Sequence, residues 1–477
     1  MLTTAKPGET AIELAEKALK LCEKKQAKYA SVSLRETAEL WMSFRNGSPV
    51  MIAPVIDEGM SVRIAYADGI GFSSTNQLDT RGISDAVARA HSMARASKAP
   101  APDLRSGVAE NAKWEVAEKE KLDNLSDEEK IKRMLDLDKE ITASTEHKSY
   151  RNLSYGEKRE LKFYCDTEGT SVQGRDTKLE VSYLIMLQAG GETEQVYRDI
   201  GYTGGEEGFE NASVVSKALE DVRGISRMLS EGKAFKRERL DVICGSEVTG
   251  IACHESCGHP MEADRILGRE ASQAGKSFVT PASKGMRVGS RLVTIVDDPL
   301  LPNSFGYYEF DDEGVRARRR ILYSEGVVNE FLQDRESGSR TGAGSNGAGR
   351  SSSYALEPLV RMANTFLLPG DYTEEELIDE VKHGVFIKGF NEWNIDDRRY
   401  NQKYVGREAY MIENGEITTP VRSPVIEITT PGFWQAVTAV GRQLQFFGGS
   451  CGKGDPMQGM EVDMGGPMIK LSGVLIK

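Results

Sequence analysis

Hydrophobic positions in the first hundred residues alternate between the spacing of a helix and the spacing of a strand. Apolar residues recur at helical intervals from residue 11 to 25, which predicts an amphipathic helix. Two alternating segments then turn at Asn46-Gly47 and at Asp68-Gly69, and such dipeptides are typical of tight β-hairpin turns. The stretch from 96 to 103 contains Pro100 and Pro102 and is therefore predicted to be a linker.

The pattern changes twice more along the chain. A second unit opens with Ser126 and Glu129, which fit a capping box, and closes with a long helical pattern that stops at Gly232. Beyond it the chain is rich in short alternating segments and in glycine, and a buried strand ending at Cys244 is predicted to feed a helix. We therefore predict an α+β fold. Its N-terminal mixed α/β domains span 1–103 and 104–232, and its β-rich C-terminal domain spans 233–477.

Composition and charge narrow the classes of partner. Of the 477 residues, 61 are Lys or Arg and 73 are Asp or Glu, which gives a net charge of -12 and a pI near 5.3. Such a chain is repelled by phosphate backbones and anionic lipid, so nucleic acid and membrane surfaces are not expected as partners. No apolar run reaches the roughly 18 residues of a membrane span.

The expected compartment is the cytoplasm. The N-terminal residues lack a basic segment followed by an apolar stretch, so no export signal is expected. The six cysteines are scattered through a long chain, which is typical of reduced thiols rather than of a disulfide scaffold.

The segment with the clearest chemistry begins at His254, only ten positions after the predicted strand ends. His254 and His259 are good zinc ligands, and Glu255, directly after the first imidazole, can accept a proton from a water activated by the metal. The β-rich C-terminal domain is thus predicted to carry the metal-binding helix.

The interval between the two histidines is incompatible with a regular helix. Positions i and i+5 lie about 140° apart around an α-helix, whereas i and i+4 lie about 40° apart. Either a π-bulge brings His254 and His259 back to one face, or the helix ends at Gly258 and the chain turns His259 inward. Because Pro260 follows, we expect the second route, with Gly258 in a left-handed conformation.

A catalytic zinc needs a third protein ligand. The residue chemistry leaves four candidates open: Cys257 within the motif, Glu262 and Asp264 just after it, and Cys451 in a distant glycine-rich segment. Glycines flanking a cysteine allow its backbone to approach a preformed site closely.

Several separated motifs together resemble the TldD/PmbA metalloprotease family. They are His254-Glu255-x-x-x-His259, Gly449 to Lys453, Phe310 to Gly314, and Pro358 to Thr365, supported by a weaker N-terminal stretch from Gly59 to Phe72. The histidine motif is similar to that of the catalytic, TldD-like subunit of the family, and a related subunit lacks it.

This resemblance implies a set of roles. His254, His259 and Cys451 are expected to hold Zn²⁺, and Glu255 is expected to be the catalytic base. The family resemblance also implies a dimer, often with the related inactive subunit, that encloses the site in a chamber admitting extended peptides. The expected activity is a zinc-dependent metallopeptidase acting on small or unfolded peptides.

Less specific signals have ordinary explanations. The glycine pattern from Gly342 to Gly347 matches a dinucleotide fingerprint, but no predicted strand precedes it, so a surface loop is expected. The acidic run Asp311 to Glu313 is predicted to be a solvated turn rather than a cation site. Arg361 and Asn364 are equally compatible with peptide binding and with structural hydrogen bonds. The alternative function is a non-catalytic peptide-binding or regulatory subunit with a structural metal.

Overall fold

The computed structural model describes residues 9–97, 101–270 and 275–477, so part of the predicted linker lies outside the described residues. Ten α-helices lie in these ranges: α1 Glu9–Glu23, α2 Thr80–Ala96, α3 Asp127–Ala143, α4 Glu207–Asn211, α5 Val214–Glu231, α6 Ser246–Cys253, α7 Ala263–Ile266, α8 Arg335–Thr341, α9 Glu374–Asp379 and α10 Thr430–Gln435. Single turns of other helix types are Leu122–Asn124, His254–Gly258, His259–Met261 and Pro281–Ser283.

Strands form the larger part of the fold. The first twelve are β1 Tyr29–Arg45, β2 Ser48–Tyr66, β3 Gly69–Thr75, β4 Asn111–Glu115, β5 Lys148–Asp166, β6 Ser171–Ala189, β7 Glu192–Thr203, β8 Lys233–Ala234, β9 Glu238–Cys244, β10 Ile295–Asp297, β11 Arg320–Ser324 and β12 Val327–Val328. The others are β13 Gly349–Arg350, β14 Leu359–Val360, β15 Asn364–Leu367, β16 His383–Ile395, β17 Asn401–Glu413, β18 Glu416–Arg422, β19 Val425–Thr429, β20 Val437–Val440, β21 Gln445–Lys453, β22 Gln458–Gly466 and β23 Ile469–Ile476.

One sheet contains 13 strands, which come from both the N-terminal and the C-terminal parts of the chain. Its order is β12-β11-β10-β15-β22-β21-β7-β6-β5-β1-β2-β3, with β4 paired to β6. Strands β7 and β21 meet at the single pair Asp199 and Gly448, which joins the N-terminal strands to the C-terminal ones. The sheet therefore brings the glycine-rich strand β21 to the middle of the molecule.

A second sheet of eight strands supports the predicted metal-binding helix. Its order is β16-β9-β23-β19-β17-β18-β8, with β20 paired to β23. An extra pairing between β16 and β17 closes five of these strands into a ring. Strand β9 leads directly into α6, which packs against β22 and β16. The largest buried hydrophobic cluster, which includes Val248, Ile251 and Trp434, lies around this helix.

The local predictions are confirmed at several places. Asn46 and Gly47 lie between β1 and β2, and Asp68 precedes β3, as the turn dipeptides indicated. Ser126 and Glu129 form both hydrogen bonds of the capping box at the start of α3. The mixed α/β fold with a β-rich C-terminal region agrees with the predicted α+β class, and the domain limits stay predictions.

Among the described residues, none of the helices combines the length and hydrophobicity that a membrane crossing requires.

The prediction of a solvated turn at Asp311 to Glu313 is wrong. Asp311 and Glu313 are buried, and the side chain of Asp312 is only 7% exposed. Asp312 and Glu313 face cations of the N-terminal strands, whereas Asp311 accepts from the backbone N–H groups of Val315 and Gly349. Arg35 lies 3.0 Å from Asp312, and Arg63 lies 2.6 Å from Glu313. The run of charges suggested exposure, whereas the arginines of β1 and β2 that make burial tolerable are distant in sequence, as the separation of 250 residues for Arg63 and Glu313 illustrates.

Candidate metal centre

The two histidines are brought together by a turn of π-helix. Helix α6 ends at Cys253, and residues His254–Gly258 continue it as a π-helical turn in which the His259 N–H donates to the His254 carbonyl. A π-helix advances about 82° per residue, so five residues return the second side chain to within about 50° of the first. The ring centroids of His254 and His259 are 4.8 Å apart.

The expected left-handed Gly258 is wrong. Gly258 has φ -53° and ψ -63°, which is right-handed helical backbone. The helix does not end there, because a 3₁₀ turn at His259–Met261 follows without a break. Pro260 is accommodated near the start of this new turn, where a missing N–H costs nothing. The alternative of a π-bulge is the arrangement that occurs.

Cys451 reaches the imidazoles from the middle of β21. Its Sγ lies 3.4 Å from Nε2 of His259, and the ligand atoms of His254, His259 and Cys451 all lie within 4.8 Å of one another. Bonds of about 2.3 Å to sulfur and about 2.0 Å to nitrogen at a tetrahedral ion separate two such ligands by about 3.5 Å. The donor set and the sulfur-to-nitrogen distance therefore fit Zn²⁺.

The charge state of the group also suits a metal. Burial raises the pKa of the Cys451 thiol, but the positive charges of His259 and Arg361 outweigh it and bring this pKa down to about 7. Burial lowers the pKa of His254, which favours the neutral imidazole that binds metals. Nδ1 of His254 is buried and has no hydrogen-bond partner within the described ranges, so at least one imidazole nitrogen is left for an ion.

A buried carboxylate orients His259. Glu262 Oε2 lies 2.9 Å from Nδ1 of His259 and also accepts from Arg265 Nε at 2.6 Å. Lys453 lies 3.2 Å from the same oxygen and donates to Asp264 at 2.8 Å. Holding Nδ1 as the protonated nitrogen leaves Nε2 of His259 facing Cys451.

Backbone contacts hold Cys451 and the π-helical turn in place. The Arg361 guanidinium donates to the carbonyl of Cys451 and, at 2.8 Å, to the carbonyl of Gln458 on the paired strand β22. The Ser256 carbonyl accepts from Trp434 Nε1 and from Tyr323 Oη, both at 3.4 Å. The Cys451 backbone and the π-helical turn that carries the histidines are thus held by separate parts of the fold.

Glu255 lies beside these three residues and faces a cavity of about 500 Å³. Its Oε1 accepts from Trp393 Nε1 at 3.1 Å, and its Oε2 accepts from Arg399 Nη1 at 2.5 Å. Burial raises the pKa of this carboxyl group, but the charges of His259 and Arg399 prevail, so the pKa is lower than that of an ordinary glutamate. The carboxylate is therefore ionised and able to accept a proton.

Family comparisons agree with the motif. Models of three PmbA/TldA metallopeptidase domains match the chain: domain 1 at residues 30–94, the central domain at 120–231 and the C-terminal domain at 237–477. The chain belongs to the PmbA/TldD metallopeptidase family. The matched C-terminal domain contains His254, Glu255, His259 and Cys451.

Relatives within the PmbA/TldD family carry protease names. A metalloprotease from Methanocaldococcus jannaschii is 28% identical over 428 residues, which cover 89% of this chain and 92% of that protein. A zinc metalloprotease TldD homologue from Saccharolobus solfataricus is 26% identical over 428 residues, with 87% and 89% covered. The crystal structure of TldE from Thermococcus kodakarensis has the same fold, with a TM-score of 0.73, 18% identity, and 97% and 99% covered.

The other predicted ligand candidates lie elsewhere. Cys257 is buried in the hydrophobic core, Glu262 contacts Nδ1 of His259 and is not one of the three converging donors, and Asp264 pairs with Lys453. Asn364 has a structural role, because its side chain bonds the backbone of Gly306 and Asp298.

Sequence reasoning did not find Trp393 and Arg399. These residues lie 138 and 144 positions after Glu255, in a hairpin with no recognisable motif. The sequence offers Arg361 as a candidate for peptide binding or structural hydrogen bonds, but its contact with the Cys451 carbonyl depends on the fold. A local pattern carries no signal for such contacts, since strand pairing alone brings the residues together.

Proposed function

We propose that this chain is a zinc-dependent metallopeptidase that hydrolyses small or unfolded peptides. The observation that carries the proposal is the convergence of His254, His259 and Cys451 within 4.8 Å, with the Glu255 carboxylate beside them in one cavity. The protease names of the relatives support the same class of reaction. The same three residues are proposed as the metal ligands.

The proposed chemistry divides between the metal and the chain. When bound, Zn²⁺ supplies a Lewis acid that makes water more acidic and polarises a carbonyl group. Glu255 accepts the proton of the attacking water at a carboxylate oxygen and later delivers it to the departing amine nitrogen. Trp393 and Arg399 hold this carboxylate in orientation through separate oxygens. The cavity, which includes Phe390 and Phe447, receives the peptide.

We further propose that the chain works beside a second subunit, identical or related, in a reducing compartment such as the cytoplasm. The shared fold with TldE supports a related subunit, and the six cysteines, all free, support the compartment. The net charge of -12 argues against nucleic acid as a partner.

The substitution Glu255→Gln tests the peptidase proposal. We expect the variant to retain bound zinc, because Glu255 is not a proposed ligand, and to lose peptide hydrolysis by at least about 100-fold, because no base accepts the proton. Elemental analysis and cleavage of a fluorogenic peptide, with and without chelator, measure the two properties.

Glu392→Gln is the matched control, since Glu392 lies on the same hairpin as Trp393 but is exposed and does not line the cavity. Its activity should equal that of the unsubstituted chain. Unchanged turnover by Glu255→Gln would favour the alternative, a non-catalytic regulatory subunit in which the metal is structural.

A further inference from the structure

The turn between β16 and β17 presents Arg399 in a constrained conformation. Arg399 has φ +60°, which is unfavourable for a residue other than glycine. Asp396 accepts from the N–H groups of Arg398 and Tyr400, at 3.1 and 2.8 Å, and Thr430 Oγ1 donates to the Arg399 carbonyl at 2.7 Å. Strained backbone persists only where its surroundings fix it, and it is concentrated at functional sites.

The Arg399 guanidinium has donors to spare. Its side chain is only 12% exposed, and Nη1 bonds Glu255. Nε is buried, and no acceptor for it exists in the described part of the chain. A guanidinium has five N–H donors, so the contact of Nη1 with Glu255 leaves the other N–H groups of Nη1 and Nη2 available to a ligand in the cavity.

Among the described residues that line the cavity, no other arginine is comparably available. Arg198 is the second arginine of the lining, but it forms two hydrogen bonds of 2.6 and 2.7 Å to Asp221 and a further contact with Glu247. That pairing neutralises Arg198 in a fixed position. Arg399, by contrast, shares its cavity side with Glu255, where the peptide carbonyl must lie for attack by water.

We propose that Arg399 is a further catalytic residue that donates hydrogen bonds to the scissile carbonyl oxygen as this oxygen becomes negative. The inference deepens the proposed peptidase function and rests on it. As water attacks, its proton passes to Glu255 and the carbonyl electron pair moves onto oxygen, where the guanidinium balances the charge. When the C–N bond breaks, that electron pair returns to re-form the carbonyl, and the proton on Glu255 passes to the amine.

Arg399→Ala tests the proposal in the zinc-loaded chain. We expect retained zinc, a KM within about threefold of the parent, and a kcat about 100-fold lower, since loss of one oxyanion donor costs 10²–10³ in rate. Added guanidinium ion should restore part of the activity. Arg399→Lys keeps the positive charge but loses the planar, forked arrangement of guanidinium donors. Its kcat should therefore lie between those of the parent chain and of Arg399→Ala. Arg398→Ala, an equal change of charge in the same turn, should act like the parent chain.

A binding measurement separates direct contact from an effect through Glu255. A phosphinic peptide mimics the tetrahedral oxyanion without needing turnover. In a Glu255→Gln background, Arg399→Ala should weaken its binding by about the same factor as in the parent chain.

Three outcomes would overturn the role of Arg399: loss of zinc, an unchanged kcat, or phosphinate binding that Arg399→Ala weakens only when Glu255 is present. Failure of the proposed function looks different. In that case the unsubstituted, zinc-loaded chain cleaves no peptide at all.

Discussion

At the scale of single residues, Glu262 occupies the position on which the geometry of His259 depends. The carboxylate is fully buried, yet the charges of Lys453, His259 and Arg265 outweigh the effect of burial and hold its pKa well below that of an ordinary glutamate. Its Oε2 accepts from the His259 imidazole and from Arg265, and it lies 3.2 Å from Lys453 Nζ in an ion pair. The contact fixes both the tautomer and the direction of the His259 ring.

Glu262→Gln should weaken zinc binding by about 10- to 100-fold, the usual cost of losing a carboxylate behind a ligating histidine. The amide keeps the size of the side chain but no longer compensates Lys453 and Arg265. Competition with a chromophoric chelator measures the dissociation constant. Glu336→Gln, a partly exposed position on α8, is the control and should leave zinc affinity unchanged. Equal affinities in both variants would mean that Glu262 does not orient the ligand.

The residues of the site differ in how far the sequence could predict them. His254, Glu255 and His259 lie within six consecutive residues, and their chemistry can be inferred from the side chains alone. The choice of Cys451 as the expected third ligand required a family resemblance, since Cys257, Glu262 and Asp264 were also candidates. Trp393 and Arg399 could not be predicted, because their contact with Glu255 arises from the position of a hairpin and not from any local spacing.

At the scale of elements, the π-helical turn depends on Gly258 for a reason that cannot be inferred from the sequence. A Cβ built on Gly258 would lie 1.9 Å from Sδ of Met362, which is itself buried. The glycine is therefore required for close packing against the segment between β14 and β15, and not for a left-handed turn. The sequence indicated correctly that the helix is irregular but not which irregularity occurs.

Gly258→Ala should lower the free energy of unfolding by about 1–3 kcal/mol, the usual cost of an added methyl group in a packed core. It should also weaken zinc binding, because Met362 can yield only if the turn shifts. Urea unfolding and metal competition measure both effects. Combining it with Met362→Ala should recover the zinc affinity while leaving the chain less stable. Unaltered stability in the single variant would contradict the packing argument.

At the scale of the whole molecule, buried ion pairs connect the N-terminal strands to the C-terminal segment. Arg35 in β1 faces Asp312, Arg63 in β2 faces Glu313, and Arg335 in α8 lies 3.2 Å from Asp166 in β5. Burial raises the pKa of Asp312, but Lys162 and Arg35 lower it further than burial raises it. The contact between the two parts of the chain is thus electrostatic as well as hydrophobic.

Asp312→Asn should lower the free energy of unfolding at pH 7 by about 3–5 kcal/mol, because it leaves buried cations without their partner. The pKa of Asp312 in the folded chain lies below the ordinary value of 3.8, so its contribution is present above that pH and is lost as the pH falls below it. Urea unfolding from pH 7 down to pH 3 should show the difference shrink. The exposed Asp136→Asn is the control. A difference that persists undiminished in acid would contradict the ion-pair account.

The sequence predicts the α+β fold class but not the order of the strands in each sheet. Hairpins such as β1 with β2 follow from local turns, and their residues pair as the dipeptides indicated. The strand order of the large sheet does not follow from local turns, because neighbouring strands such as β7 and β21 are distant in sequence and meet at one residue pair. Long-range strand pairing depends on the complete set of buried faces and not on local periodicity.

The ring formed by β9, β23, β19, β17 and β16 cannot close until its last strand in the sequence, β23, has been synthesised. A ribosome completes β9 and α6 long before it makes β23, the strand that lies beside β9 in the finished ring. Until β23 is made, the sheet that supports His254 and His259 has an unpaired edge at β9. Cys451 in β21 is also synthesised later than these two histidines. If the three proposed ligands hold the ion, an ion that arrives early finds an incomplete ligand set, so we expect metal loading to follow the synthesis of β21.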